Sequence, residues 1–265
     1  MSKKYPIIAV IGSSGAGTST VKEALQHIFK FVGARAADIE GDSFHRYDRA
    51  EMKAERKKAK KSGRNLSHFG PEGNLFDKKF EVFRQYGETG TGTRRHYIHN
   101  EEEAVLYGGP LGTFTDWEPL PENTDLLFYE GLHGGVVTKE YNMAKEVDLL
   151  VGVCPTINLE WVQKVNRDMA ERGYKQDEVM DTIHRRMYDY MHYIVPQFSE
   201  THINWTPRKT LTFGGVTPEL ASGGLPCRPF RPVFRFLMSV SGVSERVFLY
   251  PGALRALSQT RRFIL

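Results

Sequence analysis

Cysteine is scarce in this chain of 265 residues: there are two, Cys154 and Cys227. Two thiols cannot build a disulfide framework, and their scarcity fits a reducing cytoplasm. Cys154 follows the apolar run Leu149-Leu150-Val151-Gly152-Val153, where a small buried hydrophobe is expected. Long apolar runs are also missing. None approaches the roughly 20 residues of a membrane span, so no membrane association is expected. Lys3 and Lys4 precede Pro6-Ile7-Ile8-Ala9-Val10-Ile11 in the manner of a signal peptide. That run is short, however, and a glycine-rich segment follows it in place of a cleavage site, so a first β-strand is the better reading.

Basic charge is lacking where a nucleic-acid binder would need it. From Trp205 onward there are eight Arg and one Lys against two Glu, a net of +7 within a total of +4, which leaves about −3 for everything before. No basic stripe lies in the body of the chain, and no nucleic-acid partner is expected. The last 60 or so residues hold six of the 13 prolines and no Asp, with Arg in place of Lys almost throughout.

What is present is an alternation of strands and helices. Strands are expected over residues 5–11, 36–40, 126–129 and 147–153, with a further candidate at 94–98. Helices are expected over 18–31, 48–61, 78–86, 158–172 and 177–192, with loops at 66–75 and 87–92. This order predicts an α/β fold, a mostly parallel or mixed sheet with helices on both faces.

Gly12-Ser13-Ser14-Gly15-Ala16-Gly17-Thr18-Ser19 follows the first strand and opens the first helix. Small residues let successive backbone N–H groups turn toward a phosphate, and the helix N-terminus adds its positive end. The expected nucleotide contacts are Gly12, Ser13, Ser14, Gly15, Ala16, Gly17, Thr18, Ser19 and Thr20, with the hydroxyl of Ser19 or Thr20 placed for Mg²⁺. One part of the phosphate-loop pattern is missing: Thr18 stands where a Lys normally reaches the β- and γ-phosphates. That charge must come from elsewhere.

Two carboxylates stand at strand ends. Asp42, just past the second strand, is placed to take a proton from a substrate hydroxyl, although alone it would be read as a turn-capping residue. Glu130 ends the apolar strand at 126–129 and is aimed at Mg²⁺. In the helix at 158–172, Lys164, Asp168 and Arg172 recur at i, i+4, i+8 and share a face. Alone that is a solvated salt-bridge stripe. With the phosphate-loop lysine absent, it reads as a lid that lays Lys164 and Arg167 on the transferring group. His45, Arg46, Arg49 and Lys53 put cations beside Asp42, which suits an anionic substrate. Together these predict a P-loop kinase acting on a small hydroxylated metabolite.

At this point the residues match a family. The segments 11–20, 39–46, 114–117, 127–133, 158–173 and 194–199 resemble bacterial phosphoribulokinases, with few gaps over residues 1–204; the Thr18 substitution is itself a feature of that family. The resemblance implies ATP-dependent phosphorylation of the O1 hydroxyl of D-ribulose 5-phosphate to ribulose 1,5-bisphosphate in the Calvin cycle. It also implies Asp42 as catalytic base, Glu130 and Asp168 as the acids that organise Mg²⁺, and Lys164 on the γ-phosphate. His45, Arg49 and Arg172 become ribulose 5-phosphate ligands, supported by Lys53 and Arg167. It further implies a cytoplasmic homo-octamer activated by NADH and inhibited by AMP, although Phe31 stands where relatives carry a basic residue linked to effector response. Plant-type members are switched by a thiol pair that includes a phosphate-loop cysteine; this loop has none.

The resemblance gives two units, a kinase domain at 1–204 and an atypical Arg- and Pro-rich segment at 205–265. The change of style there points to a shifted reading frame, with a genuine divergent tail as the other reading. The alternatives are another small-metabolite kinase of uridine or pantothenate type, a nucleotide-dependent switch, and a nucleic-acid binder acting through the tail. No Asn-Lys-x-Asp guanine signature accompanies the loop, and the tail has no basic repeat.

Overall fold

A computed structural model of the chain describes residues 4–206 and 246–249. Most of the segment at 205–265, expected to be a separate Arg- and Pro-rich unit, therefore lies outside the described residues.

The first strand, β1 (Ile7–Ile11), is apolar at every position and nearly all buried. It pairs in parallel with β5 (Leu126–Gly131) on one side and β6 (Leu149–Val153) on the other. β2 (Ala36–Glu40) adds in parallel beyond β5, and β7 (Ile203–Thr206) beyond β6. β8 (Arg246–Leu249) pairs antiparallel with β7, which gives the order β2-β5-β1-β6-β7-β8. β7 crosses the boundary expected at residue 204.

Alternation along the strands feeds two cores. Ile7, Ala9, Ile11, Leu127 and Tyr129 face one side, against Val82, Phe83 and Tyr86 of α3 (Phe76–Thr89). Val10, Leu126, Phe128 and Val151 face the other, against Phe29, Val21 and Leu25 of α1 (Thr18–Val32). Helices on both faces explain why the strands read as continuous apolar runs rather than as alternating ones.

The helix boundaries follow local chemistry. α1 starts after Gly17 (φ 97°) and stops at Gly33 (φ 70°), both in the left-handed region that glycine allows. α2 (Arg49–Lys61) is opened by a capping box, Asp48 Oδ1 accepting from Glu51 N at 2.7 Å and Glu51 Oε2 from Asp48 N at 3.0 Å. α5 (Ile157–Arg172) ends at Gly173, as its sequence predicts. α6 (Gln176–Asp189) runs on through a π turn at Tyr190–Ile194.

Three expectations change. The strand expected at 94–98 is a two-residue β3 (Thr93–Arg94) paired with β4 (Glu118–Pro119), because Arg95 turns away to bind another segment. A short helix, α4 (Glu101–Tyr107), had no apolar stripe to announce it; Asn100 caps it through the Glu103 N–H. The helix expected at 78–86 extends to Phe76 and Thr89.

Lys79 of α3 is fully buried, and its ammonium has no hydrogen-bond partner. It lies 5.0 Å from the ring centroid of Phe76 and 5.5 Å from that of Tyr129. Burial pushes its pKa down to about 7. The unfolded chain therefore binds a proton that the folded chain resists, and this group's destabilisation is fullest at and below pH 7 and fades toward pH 10.5. Lys79→Met should stabilise the fold by about 2–4 kcal/mol at neutral pH, the pKa displacement less the lost ring contacts. Denaturation midpoints of variant and wild type should converge as the pH approaches 10.

Candidate active site

The carboxyl ends of β2, β5 and β1 lie side by side, Glu40 opposite Glu130 and Ile11 opposite Gly131. At roughly 4.8 Å per strand, the turn after β2 stands about 10 Å from the loop after β1. That order puts Asp42, Glu130 and the phosphate loop at the same end of the sheet.

The loop spans Gly12 to Gly17, with Gly15 (φ 103°) and Gly17 left-handed. A Cβ at Gly15 would sit 3.0 Å from both Lys164 Cβ and the Glu160 carbonyl, so α5 rests directly on the loop. Ser19 and Thr20 are exposed in the first turn of α1. Thr18, not Ser19, faces Glu130: its hydroxyl hydrogen-bonds the carboxyl, which burial raises above the usual carboxylate range.

The cations expected from α5 are in place. Lys164, 7% exposed, donates to Asp168 Oδ2 at 2.5 Å. Arg167 donates to Asp168 Oδ1 at 2.9 Å and to Ser14 Oγ in the phosphate loop at 2.8 Å. Burial pulls the Lys164 ammonium down to about 8. Burial also acts against ionised Asp168, but Lys164 and then Arg167 outweigh it and hold the carboxyl below its ordinary range. The spacing 164–168 is thus a buried pair aimed at the loop, not a solvated stripe.

Around Asp42 a second group assembles. His45 Nε2 lies 3.2 Å from Asp42 Oδ1, and His99 Nε2 lies 3.7 Å from Oδ2. The Asp42 side chain keeps 39% of its surface accessible. Burial of the remainder works to raise its pKa; His45, then His99 and His68, outweigh it and keep the carboxyl ionised well below its ordinary value. Arg49 lies against Gly112 and hydrogen-bonds the Tyr97 hydroxyl. Lys53 is exposed on α2. Arg172 closes α5, and its side chain lies outside the described residues.

Sequence reasoning missed three contributors. Arg186 of α6 stands over the Phe69 ring at 5.2 Å; desolvation lowers it to about 10, with Arg185 and Arg56 adding and Asp168 and Asp42 opposing. Its signal was there: it falls on the stripe of Val179, Ile183 and Tyr190, where a cation is out of place. Arg95 donates to the carbonyls of Ser43 at 2.8 Å and His45 at 2.6 Å, with its guanidinium 3.7 Å from the Phe114 ring centroid. Asn74 contacts His45, and nothing in the sequence sets it apart.

A glycine cradle on a helix N-terminus, lidded by cations and faced by an ionised carboxylate, defines a P-loop phosphotransferase. The comparisons narrow this. The model of the Phosphoribulokinase / Uridine kinase family matches residues 7–211. The chromosomal phosphoribulokinase of Cupriavidus necator is 59% identical over 206 residues, covering 77% of this chain and 70% of that protein. A probable phosphoribulokinase of Escherichia coli is 55% identical over 226 residues, covering 85% and 77%. The solved phosphoribulokinase from Rhodobacter spheroides superposes with a TM-score of 0.69 at 50% identity, over 77% of this chain and 71% of that one. The chain belongs to the phosphoribulokinase/uridine kinase family. Among the described residues, no helix is long and apolar enough to cross a membrane.

Proposed function

We propose that this chain transfers the γ-phosphoryl group of ATP to the O1 hydroxyl of D-ribulose 5-phosphate, giving D-ribulose 1,5-bisphosphate and ADP. The observation that carries the reading is the Lys164–Asp168 pair resting on a lysine-free phosphate loop. The chain's likeness to phosphoribulokinases at 55–59% identity supplies the acceptor.

In this reading the N–H groups of residues 12–20 hold the nucleotide phosphates. Asp42 accepts the O1 proton as the oxygen attacks phosphorus, and its depressed pKa keeps it ready to do so at neutral pH. Lys164 and Arg167 neutralise charge on the equatorial oxygens, where the missing loop lysine would have acted. Arg49, Lys53 and Arg172 take the anionic end of the acceptor, and Arg186 adds charge from α6; His45, expected among these ligands, has its two ring nitrogens on Asn74 and Asp42 instead. Glu130, Ser19 and Asp168 are the Mg²⁺ candidates. The raised, buried Glu130 carboxyl fits a cation, which would supply the charge that burial denies it. Held by these residues, Mg²⁺ would supply positive charge against the phosphate oxygens. Asp168 would hold the metal in competition with its contacts to Lys164 and Arg167.

The reading extends to a cytoplasmic octamer activated by NADH, on the chain's likeness to bacterial phosphoribulokinases. Phe31, 77% exposed at the end of α1, counts against the effector part.

ADP release measured with ribulose 5-phosphate, uridine and pantothenate as alternative acceptors tests the proposal. Turnover is expected with ribulose 5-phosphate alone. Turnover with uridine or pantothenate instead reassigns the substrate, and full ATP hydrolysis without acceptor makes the chain a nucleotide switch.

A further inference from the structure

Asn74 lies in the loop between α2 and α3, is 1% exposed, and takes no part in the proposal above. Its side-chain orientation is fixed by its own donors. Nδ2 donates to the carbonyls of His68 at 2.9 Å and Gly70 at 2.7 Å. Both amide protons are used, so Oδ1 must be the atom that meets His45 Nδ1 at 3.0 Å, and Oδ1 only accepts. His45 therefore carries its proton on Nδ1 and turns Nε2 toward Asp42. While Asp42 is ionised, Nε2 must donate as well for that 3.2 Å contact to be a hydrogen bond. The ring has little freedom to do otherwise: it lies on the His68 ring at 4.1 Å between centroids, and the His45 and Asn74 backbones form a β-bridge.

The two oxygens of Asp42 are thereby made unequal. Oδ1 is held by His45. Oδ2 faces His99, whose Nε2 stands at 3.7 Å, too long for a hydrogen bond. We propose that Asn74 is a positioning residue for phosphoryl transfer: acting through His45, it ties Oδ1 of Asp42 and leaves Oδ2 as the oxygen that takes the proton from the acceptor hydroxyl. The proposal rests on Asp42 being the base. Arg95 supports the same turn by binding the Ser43 and His45 carbonyls, so Asn74 need fix only the ring.

A double-mutant cycle with His45 tests this. Asn74→Leu should lower kcat by about 10²-fold, the scale of a misplaced reacting group, and leave the KM for ATP within about twofold. In a His45→Ala background the same substitution should lower kcat less than about threefold further, because its effect passes through the ring. Asn74→Asp keeps an acceptor toward His45 Nδ1 and loses both donors to the loop. It should retain more than about a tenth of wild-type kcat even where the melting temperature falls. A loop-bracing role predicts the reverse: equal losses in both backgrounds, with Asn74→Asp as damaged as Asn74→Leu. Either result overturns the proposal. If Asn74→Leu does not fold, the kcat of Asn74→Asp beside His45→Ala decides alone. Asp42→Asn in the same assay separates this idea from the one beneath it. Retained turnover there removes the base itself, whereas lost turnover with a fully active Asn74→Leu removes only the role of Asn74.

Discussion

Asp42→Asn is expected to lower kcat for ribulose 5-phosphate by roughly 10²–10⁴ and to leave ATP binding in place, the scale of a lost acid–base group. The amide keeps the shape of the carboxylate and one accepting oxygen, so packing around the turn after β2 is preserved. What it loses is the capacity to hold a proton from the acceptor hydroxyl. The histidines around Asp42 make the substitution more telling. His45 and His99 hold the carboxylate ionised, so the wild-type group is in its reactive form throughout the neutral range. The nucleotide cradle belongs to β1 and α1, on the far side of β5, and is untouched. Initial rates with both substrates saturating, beside a nucleotide titration, separate the two effects. A turnover within a few fold of wild type takes Asp42 out of the chemistry.

Lys164→Met should be of similar size, roughly 10²–10³ in kcat, the range seen when one pre-set charge or donor is taken from a transition state. The side chain is buried beside the phosphate loop, and its burial was an investment in position: desolvation has already moved its pKa down to about 8. The variant leaves Asp168 held by Arg167, so the residual structure is not stranded with a lone buried carboxylate. The fall should therefore appear in single-turnover rates more than in the melting temperature. Lys164→Arg keeps the charge on a larger group and should recover part of the rate. Equal loss in both variants would mean that the site is sensitive to shape at this position and not to charge.

Much of this was legible in the sequence, for identifiable reasons. The phosphate loop announces itself because glycine at residues 15 and 17 does what no other residue can at positive φ. Asp42 and Glu130 are legible because each ends a short apolar strand. Lys164 is legible through an absence, the lysine that Thr18 replaces. For 164, 168 and 172 the i, i+4 spacing alone describes both a solvated stripe and a lid, and it was the missing loop lysine that favoured the lid. What the spacing could not give is that α5 lies directly on Gly15. Arg95 and Asn74 were illegible because they act on backbone carbonyls and on another side chain's tautomer, through contacts with no sequence period. Arg186 was half legible, as a cation on an apolar stripe.

The substitution of a lid lysine for a loop lysine can be seen directly in a crystal structure with Mg²⁺ and a non-hydrolysable ATP analogue. Lys164 Nζ should lie within hydrogen-bond distance, about 3 Å, of a γ-phosphate oxygen, with the amides of the Gly12–Gly17 loop turned onto the phosphates. A Lys164 side chain pointing to bulk solvent in that complex, or loop amides facing away from every phosphate, would contradict it.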